Sequence, residues 1–182
     1  MKQPFLSLFI HHALVLTIIF GTIYTIVQQN YRTSANDPQI QMAEDAARDL
    51  NRGVSLQSFG PVGPTRDIAE SIAPFTVIYD TAETAIIWTG TLDGKPPVLP
   101  DGVLEYAQTN GENHVTWQPE KNIRIAAVIK PFTGQGSGYV LVGRSLREVE
   151  EREYQLMLFV GVGWVLSLAT DVFCVWVRRR TM

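Results

Sequence analysis

Gly138-Tyr139-Val140-Leu141-Val142-Gly143-Arg144-Ser145-Leu146-Arg147-Glu148-Val149-Glu150-Glu151-Arg152-Glu153-Tyr154 leads into an apolar stretch, 156–177, and then a basic stop, Arg178-Arg179-Arg180. Residues 139–143 read as a strand and residues 144–154 as a charged helical segment. The apolar stretch holds about 22 residues, near the ~20 that a tilted helix needs to cross ~30 Å of hydrocarbon. No Pro or Gly after Gly143 separates the strand from the apolar stretch. A displacement of a folded domain would therefore travel along one helix into a bilayer, and this link is the main pointer to function.

The averages conceal a strong segregation. The chain has 182 residues, formal charge −3 and one cysteine, values typical of a soluble domain. Yet residues 5–27 contain no Asp, Glu, Lys or Arg and are also long enough to span. The chain divides into an inner terminus (1–4), a first span (5–27), a polar domain (28–155), a second span (156–177) and a basic tail (178–182). The polar segment carries 11 Lys and Arg against 17 Asp and Glu, a balance of −6, and is large enough for its own core. Lys2, Arg178, Arg179 and Arg180 occupy the chain ends, so the positive-inside rule puts both termini in the cytoplasm and the domain outside. Arg32 and Arg152 argue mildly the other way. The apolar core of 5–27 exceeds the 7–15 residues of a signal peptide, and Thr33-Ser34-Ala35 is a poor cleavage site, so an uncleaved anchor is expected. The lone Cys174 excludes an intrachain disulfide and a zinc site made from this chain's cysteines; it is expected to be a buried thiol, with palmitoylation the alternative.

The remaining punctuation is local. Asp37-Pro38 is an N-cap followed by Pro at N1, and Ile40, Ala43, Ala47 and Leu50 form an apolar stripe ending at Gly53. Residues 58–65 form a loop, and 66–72 a short helix. Strands are expected at 75–79 and 85–89, then a turn-rich loop over 92–100 and a helix over 100–109 with Val103, Leu104 and Ala107 inward. Further strands follow at 114–118, 123–132 and 139–143, the last two joined by Thr133-Gly134-Gln135-Gly136-Ser137-Gly138. The economical fold is α+β: an antiparallel five-stranded sheet with helices on one face, flanked by two transmembrane helices.

Three stretches carry a family resemblance: Ala35-Asn36-Asp37-Pro38-Gln39-Ile40-Gln41, Phe75-Thr76-Val77-Ile78-Tyr79-Asp80, and Gly143-Arg144-Ser145-Leu146-Arg147-Glu148-Val149-Glu150. With both spans they resemble the PAS-like (PDC or Cache-like) sensor region of bacterial two-component histidine kinases, over residues 36–152. The resemblance implies a membrane sensor in the bacterial cytoplasmic membrane whose periplasmic domain meets a ligand or partner. Such kinases continue into a phosphorylatable-His helix and an ATP-binding domain, whereas this chain stops five residues after Val177. It thus resembles an input module without its output, acting through a homodimer or a partner membrane protein, or else the front part of a truncated kinase. A non-catalytic accessory or structural subunit of a membrane complex is the alternative.

Enzyme signatures are lacking: there is no G-x-S-x-G, H-E-x-x-H, C-x-x-C or P-loop. Of three histidines, His11 and His12 lie in the first span and His114 stands alone on a strand. No cofactor or metal is expected, and the acidic domain argues against nucleic acid. His11 and Asp171 are each six residues in from a span end, about 9 Å deep, where an unpaired carboxylate is expensive. Asp171 is therefore expected to pair with His11 or His12; the alternative is that it snorkels toward the Arg cluster. Gly21, Gly163 and Ser167, with Thr17, Thr25 and Gly161, are small residues suited to close helix packing. The resemblance places any small-molecule ligand between the sheet and residues 92–110. Trp88, Trp117, Arg124 and Tyr139 are candidate lining residues, suited to a small organic anion; the aromatics equally read as core. Arg144, Arg147, Glu148, Glu150, Glu151 and Arg152 read as i,i+3 and i,i+4 partners on the exit helix.

Overall fold

The computed structural model describes residues 3–34, 37–134 and 136–181. Lys2, Ala35, Asn36 and Gln135, named above for the inner terminus, the head of the first domain helix and the glycine-rich loop, lie outside the described residues. So does the side chain of Arg179. The chain forms two compact units: Thr33–Glu148, and Met1–Arg32 with Val149–Met182.

Within Thr33–Glu148, helix α2 (Asp37–Asn51) opens on Asp37-Pro38, and Gly53 ends it in the left-handed region at φ 88°. Its amide donates to the Leu50 carbonyl while the Val54 amide donates to Asp49, the paired closure of a Schellman end. A 3₁₀ turn (Leu56–Phe59) follows, then β1 (Arg66–Asp67), β2 (Phe75–Asp80), β3 (Ala85–Trp88), β4 (Gly90–Thr91), α3 (Val103–Asn110), β5 (Asn113–Glu120), β6 (Ile123–Phe132) and β7 (Gly138–Ser145). Strands β3-β2-β7-β6-β5 make an antiparallel sheet in that order. The protein is α+β with a five-stranded antiparallel sheet.

The helices do not share one face. Side chains alternate along each strand, so Ile78, Val128, Phe132, Val140 and Val142 meet Ala43, Ala46, Ala47 and Leu50 of α2. The other parity (Phe75, Val77, Ile125, Ala127, Ile129, Leu141) meets Val103, Leu104 and Ala107 of α3. Residues 125–129 are apolar at both parities, and a strand buried on both sides needs cover on both sides. The expectation of helices on one face is corrected accordingly.

Three local readings also change. Residues 66–72 are not helical: β1 pairs parallel with β4, and the Asp67 carboxylate accepts the Ala69 amide at 2.8 Å, making a turn. On α2 the buried stripe is Gln39, Ala43, Ala46, Ala47 and Leu50, with Ile40 only partly covered. Arg144 belongs to β7 opposite Ala126, and the exit helix α4 (Arg147–Thr181) begins three residues later.

In the other unit, α1 (Gln3–Ser34) and α4 are long and apolar enough to cross a membrane. Both run past the apolar stretches into polar sequence. Large apolar side chains such as Leu14, Ile18, Phe159 and Leu166 are exposed on them. Exposed apolar rods of this length point to a membrane protein.

Lys130 on the α2 face bridges Glu44 (3.2 Å) and Glu112 (2.9 Å), tying α2 and the start of β5 to β6. Its hydrogen bond holds the Glu112 carboxyl below its ordinary range, against a smaller opposing effect of desolvation. Burial pulls Lys130 down, but the hydrogen bonds to Glu112 and Glu44 together leave it raised. The Glu112 contribution is present above its unfolded value of 4.5 and is lost as pH falls through the lowered folded value. The Lys130 contribution is present below 10.5 and is lost as pH rises through its raised value. Lys130→Met should lower the thermal midpoint of the detergent-solubilised chain by about 1–4 °C near neutral pH. That gap should narrow as pH falls below 4.5; a gap unchanged to about pH 3 would contradict the assignment.

Candidate functional site

The α3 face of the sheet carries a cleft. Asp93 (φ 50°) and Gly94 (φ 75°) form a two-residue turn of the primed type, closed by reciprocal backbone bonds between Leu92 and Lys95 at 2.7 and 3.0 Å. The loop then runs through Pro96-Pro97-Val98-Leu99-Pro100, where repeated prolines fix φ and prevent ladder pairing. The Trp117 indole N–H donates to the Val98 carbonyl at 3.0 Å and pins the loop over the sheet. Gly102 (φ 76°) then turns the chain into α3. The space left measures about 280 Å³, and its walls include Tyr79, Ala85, Pro97, Leu99 and Leu104.

Glu83 and Asp101 also line this cleft. Glu83 sits in the β2–β3 turn, where the Asp80 carboxylate accepts the amides of Ala82 and Thr84 at 2.9 and 2.8 Å. Tyr79 is 5% exposed, and its hydroxyl has no hydrogen-bond partner among the described residues. Burial pushes that phenol well above its ordinary range. Nothing in the spacing of the sequence marked Tyr79, Glu83 or Asp101. Only the Pro-rich composition of the loop pointed to this region.

Three of the four candidate lining residues share a face, and the fourth does not. Trp88, Trp117 and Tyr139 stand on the α3 face, within or against its core. Arg124 is exposed and has the opposite parity to Ile125, so it belongs to the other face. None of the four lines the cleft. Arg124 thus does not share a face with the three aromatics, and the cleft carries two carboxylates instead.

A second cluster lies at the junction of β7 and α4. The Leu146 amide donates to the Arg124 carbonyl at 2.9 Å. Arg144 donates to the Ile72 carbonyl at 2.9 Å and pairs with Glu148. The Arg147 guanidinium reaches the carbonyls of Ala69 (2.9 Å) and Glu70 (2.6 Å). Among the described residues no later backbone amide donates to either carbonyl, which leaves both open to the guanidinium. The two arginines thus grip the domain, and Arg144 also pairs with Glu148 on the exit helix.

In the helical unit His12 Nδ1 lies 3.0 Å from Asp171 Oδ1. The Asp171 side chain is 15% exposed, and its Oδ2 is buried with no partner among the described residues. His11 lines the adjoining cleft of about 680 Å³ with Leu16, Ser167 and Cys174. Further along, the Trp164 indole donates to the Thr17 hydroxyl at 3.0 Å, Phe20 covers Gly163, and Arg32 meets Glu153 at 2.8 Å. Advancing along α1 means retreating along α4, an antiparallel pair. Gly21 is not in the contact: open space surrounds it, as it does Gly161. Ser167 spends its hydroxyl on the Gly163 carbonyl, and Thr25 on that of Gly21. Cys174 is exposed rather than buried. Among the described residues no group of three His, Cys, Asp or Glu is placed to hold a metal ion.

No protein-family model, curated protein or solved structure matches the chain.

The His12–Asp171 bond should hold the helix pair together. A double-mutant cycle of His12→Ala and Asp171→Asn, read by thermal unfolding in detergent, should give a coupling of about 0.6–1.7 kcal/mol. Additive single effects would remove the pair from the account.

Proposed function

We propose that the chain is a membrane-anchored, sensor-like module whose PAS-like domain meets a ligand or partner outside the cytoplasmic membrane. The change passes through the membrane helices to another membrane protein or a second copy. Both termini lie in the cytoplasm and the domain on the periplasmic side, as the basic chain ends favour. A histidine-kinase input region of the two-component type is the closest description, and no catalytic step is assigned to these residues.

One observation carries this reading. A single residue, Leu146, stands between the end of β7 and the start of α4, and α4 is continuous from Arg147 to Thr181. Two arginines fix the start of that helix to backbone carbonyls of the domain. A ligand that shifts the sheet would bias the helix, provided it binds two domain states unequally. The antiparallel five-stranded sheet, flanked in sequence by two apolar helices, supports the resemblance to histidine-kinase input regions.

The test is a transplant. Residues 1–182 are placed before the cytoplasmic part of a bacterial histidine kinase, with zero to three residues inserted at the join to scan helical phase. Kinase output should vary at least about threefold with phase, and Arg144→Ala with Arg147→Ala should flatten that variation. Output indifferent to phase and to both arginines would contradict transmission.

A further inference from the structure

We propose that the cleft beneath the proline-rich loop takes a small organic cation, an amine with an apolar body, held between the carboxylates of Glu83 and Asp101. This deepens the sensing role above and rests on it. The charge of the lining comes first: Glu83 and Asp101 line the cleft, and no Lys, Arg or His is among its lining residues. Lys95, on the same loop, is exposed and does not line it. Ionised carboxylates only accept hydrogen bonds, so an anionic ligand would meet repulsion and few matching donors.

The loop adds to the same bias. Pro96, Pro97 and Pro100 contribute carbonyl oxygens and no N–H groups, leaving this wall richer in acceptors than donors. An ammonium supplies three donors and no acceptor. The apolar remainder of the lining, from Ala85, Leu99, Leu104 and the Tyr79 ring, suits a hydrocarbon or aromatic body. Tyr79 is an independent mark of an incomplete site: it lines the cleft, is 95% buried, and its hydroxyl has no partner among the described residues. The volume of about 280 Å³ lies near the ~300 Å³ lower end of small-molecule sites. The domain's balance of 11 basic against 17 acidic residues would also draw cations toward it.

The experiment uses the full chain in nanodiscs of zwitterionic lipid, which gives an amine no anionic surface to adsorb to. Calorimetric titration compares phenethylamine with phenylacetate, similar in size and opposite in charge. Phenethylamine should bind at least about tenfold more tightly. Glu83→Gln with Asp101→Asn, both at exposed positions, should weaken the amine at least about tenfold. Leu99→Trp, which fills the cleft, should abolish it with the acidic pair intact. Equal binding of the two probes, no amine binding, or binding indifferent to the carboxylate variant would overturn the ligand class. Amine binding that leaves the transplanted kinase output unchanged would instead count against sensing, so the two failures are distinguishable.

Discussion

The rest of the structure depends on how the last strand becomes a helix without a loop. Leu146 gives its amide to the Arg124 carbonyl, which keeps the strand paired to its final residue. Arg147 then opens α4 with its guanidinium on the carbonyls of Ala69 and Glu70. Hydrogen bonds from a charged donor contribute about 1.5–3 kcal/mol when shielded, and less where water competes, as at this exposed site. Two such grips, at Arg144 and Arg147, limit the freedom of the first helical turn. Their acceptors are the carbonyls of Ala69, Glu70 and Ile72, in the segment that links β1 to β2.

The sheet explains why that grip has something firm to hold. Strands β6 and β7 are covered by α2 on one side and α3 on the other, so their apolar groups leave water at both parities. Lys130 adds an ionic tie between α2, β6 and the start of β5. By contrast the cleft under the proline-rich loop is bounded by a turn, a pinned loop and one end of α3. Regions with fewer buried contacts open more readily than a core sheet, which places the cleft at the adaptable margin of a stiff body.

Much of this was legible in the chain, wherever a period was sustained. The ten-residue β6 was found at its bounds, 123–132, and α3 through Val103, Leu104 and Ala107. Gly53 marked the end of α2 because its left-handed φ suits glycine. The failures are equally specific. Ile68 and Ile72 are spaced like helix neighbours, but Asp67 captures the Ala69 amide and a two-residue strand leaves no period to read. Two-faced burial was written in the unbroken apolar run 125–129, yet a half-buried sheet was the simpler reading. Gln39, 1% exposed with its amide unpartnered among the described residues, lies where hydropathy would put Ile40. The cleft was invisible because it joins two separate segments, the β2–β3 hairpin with Tyr79 and Glu83 and the loop before α3 with Asp101.

Hydrogen–deuterium exchange of the full chain in nanodiscs, resolved over residues 144–155, tests the continuity of strand and helix most directly. The account predicts slow exchange at Leu146 and throughout 151–155, with Arg147→Ala speeding exchange there while β6 stays protected. Fast exchange across 146–155 in the unaltered protein would reveal a hinge where one continuous element is required, and would contradict the account.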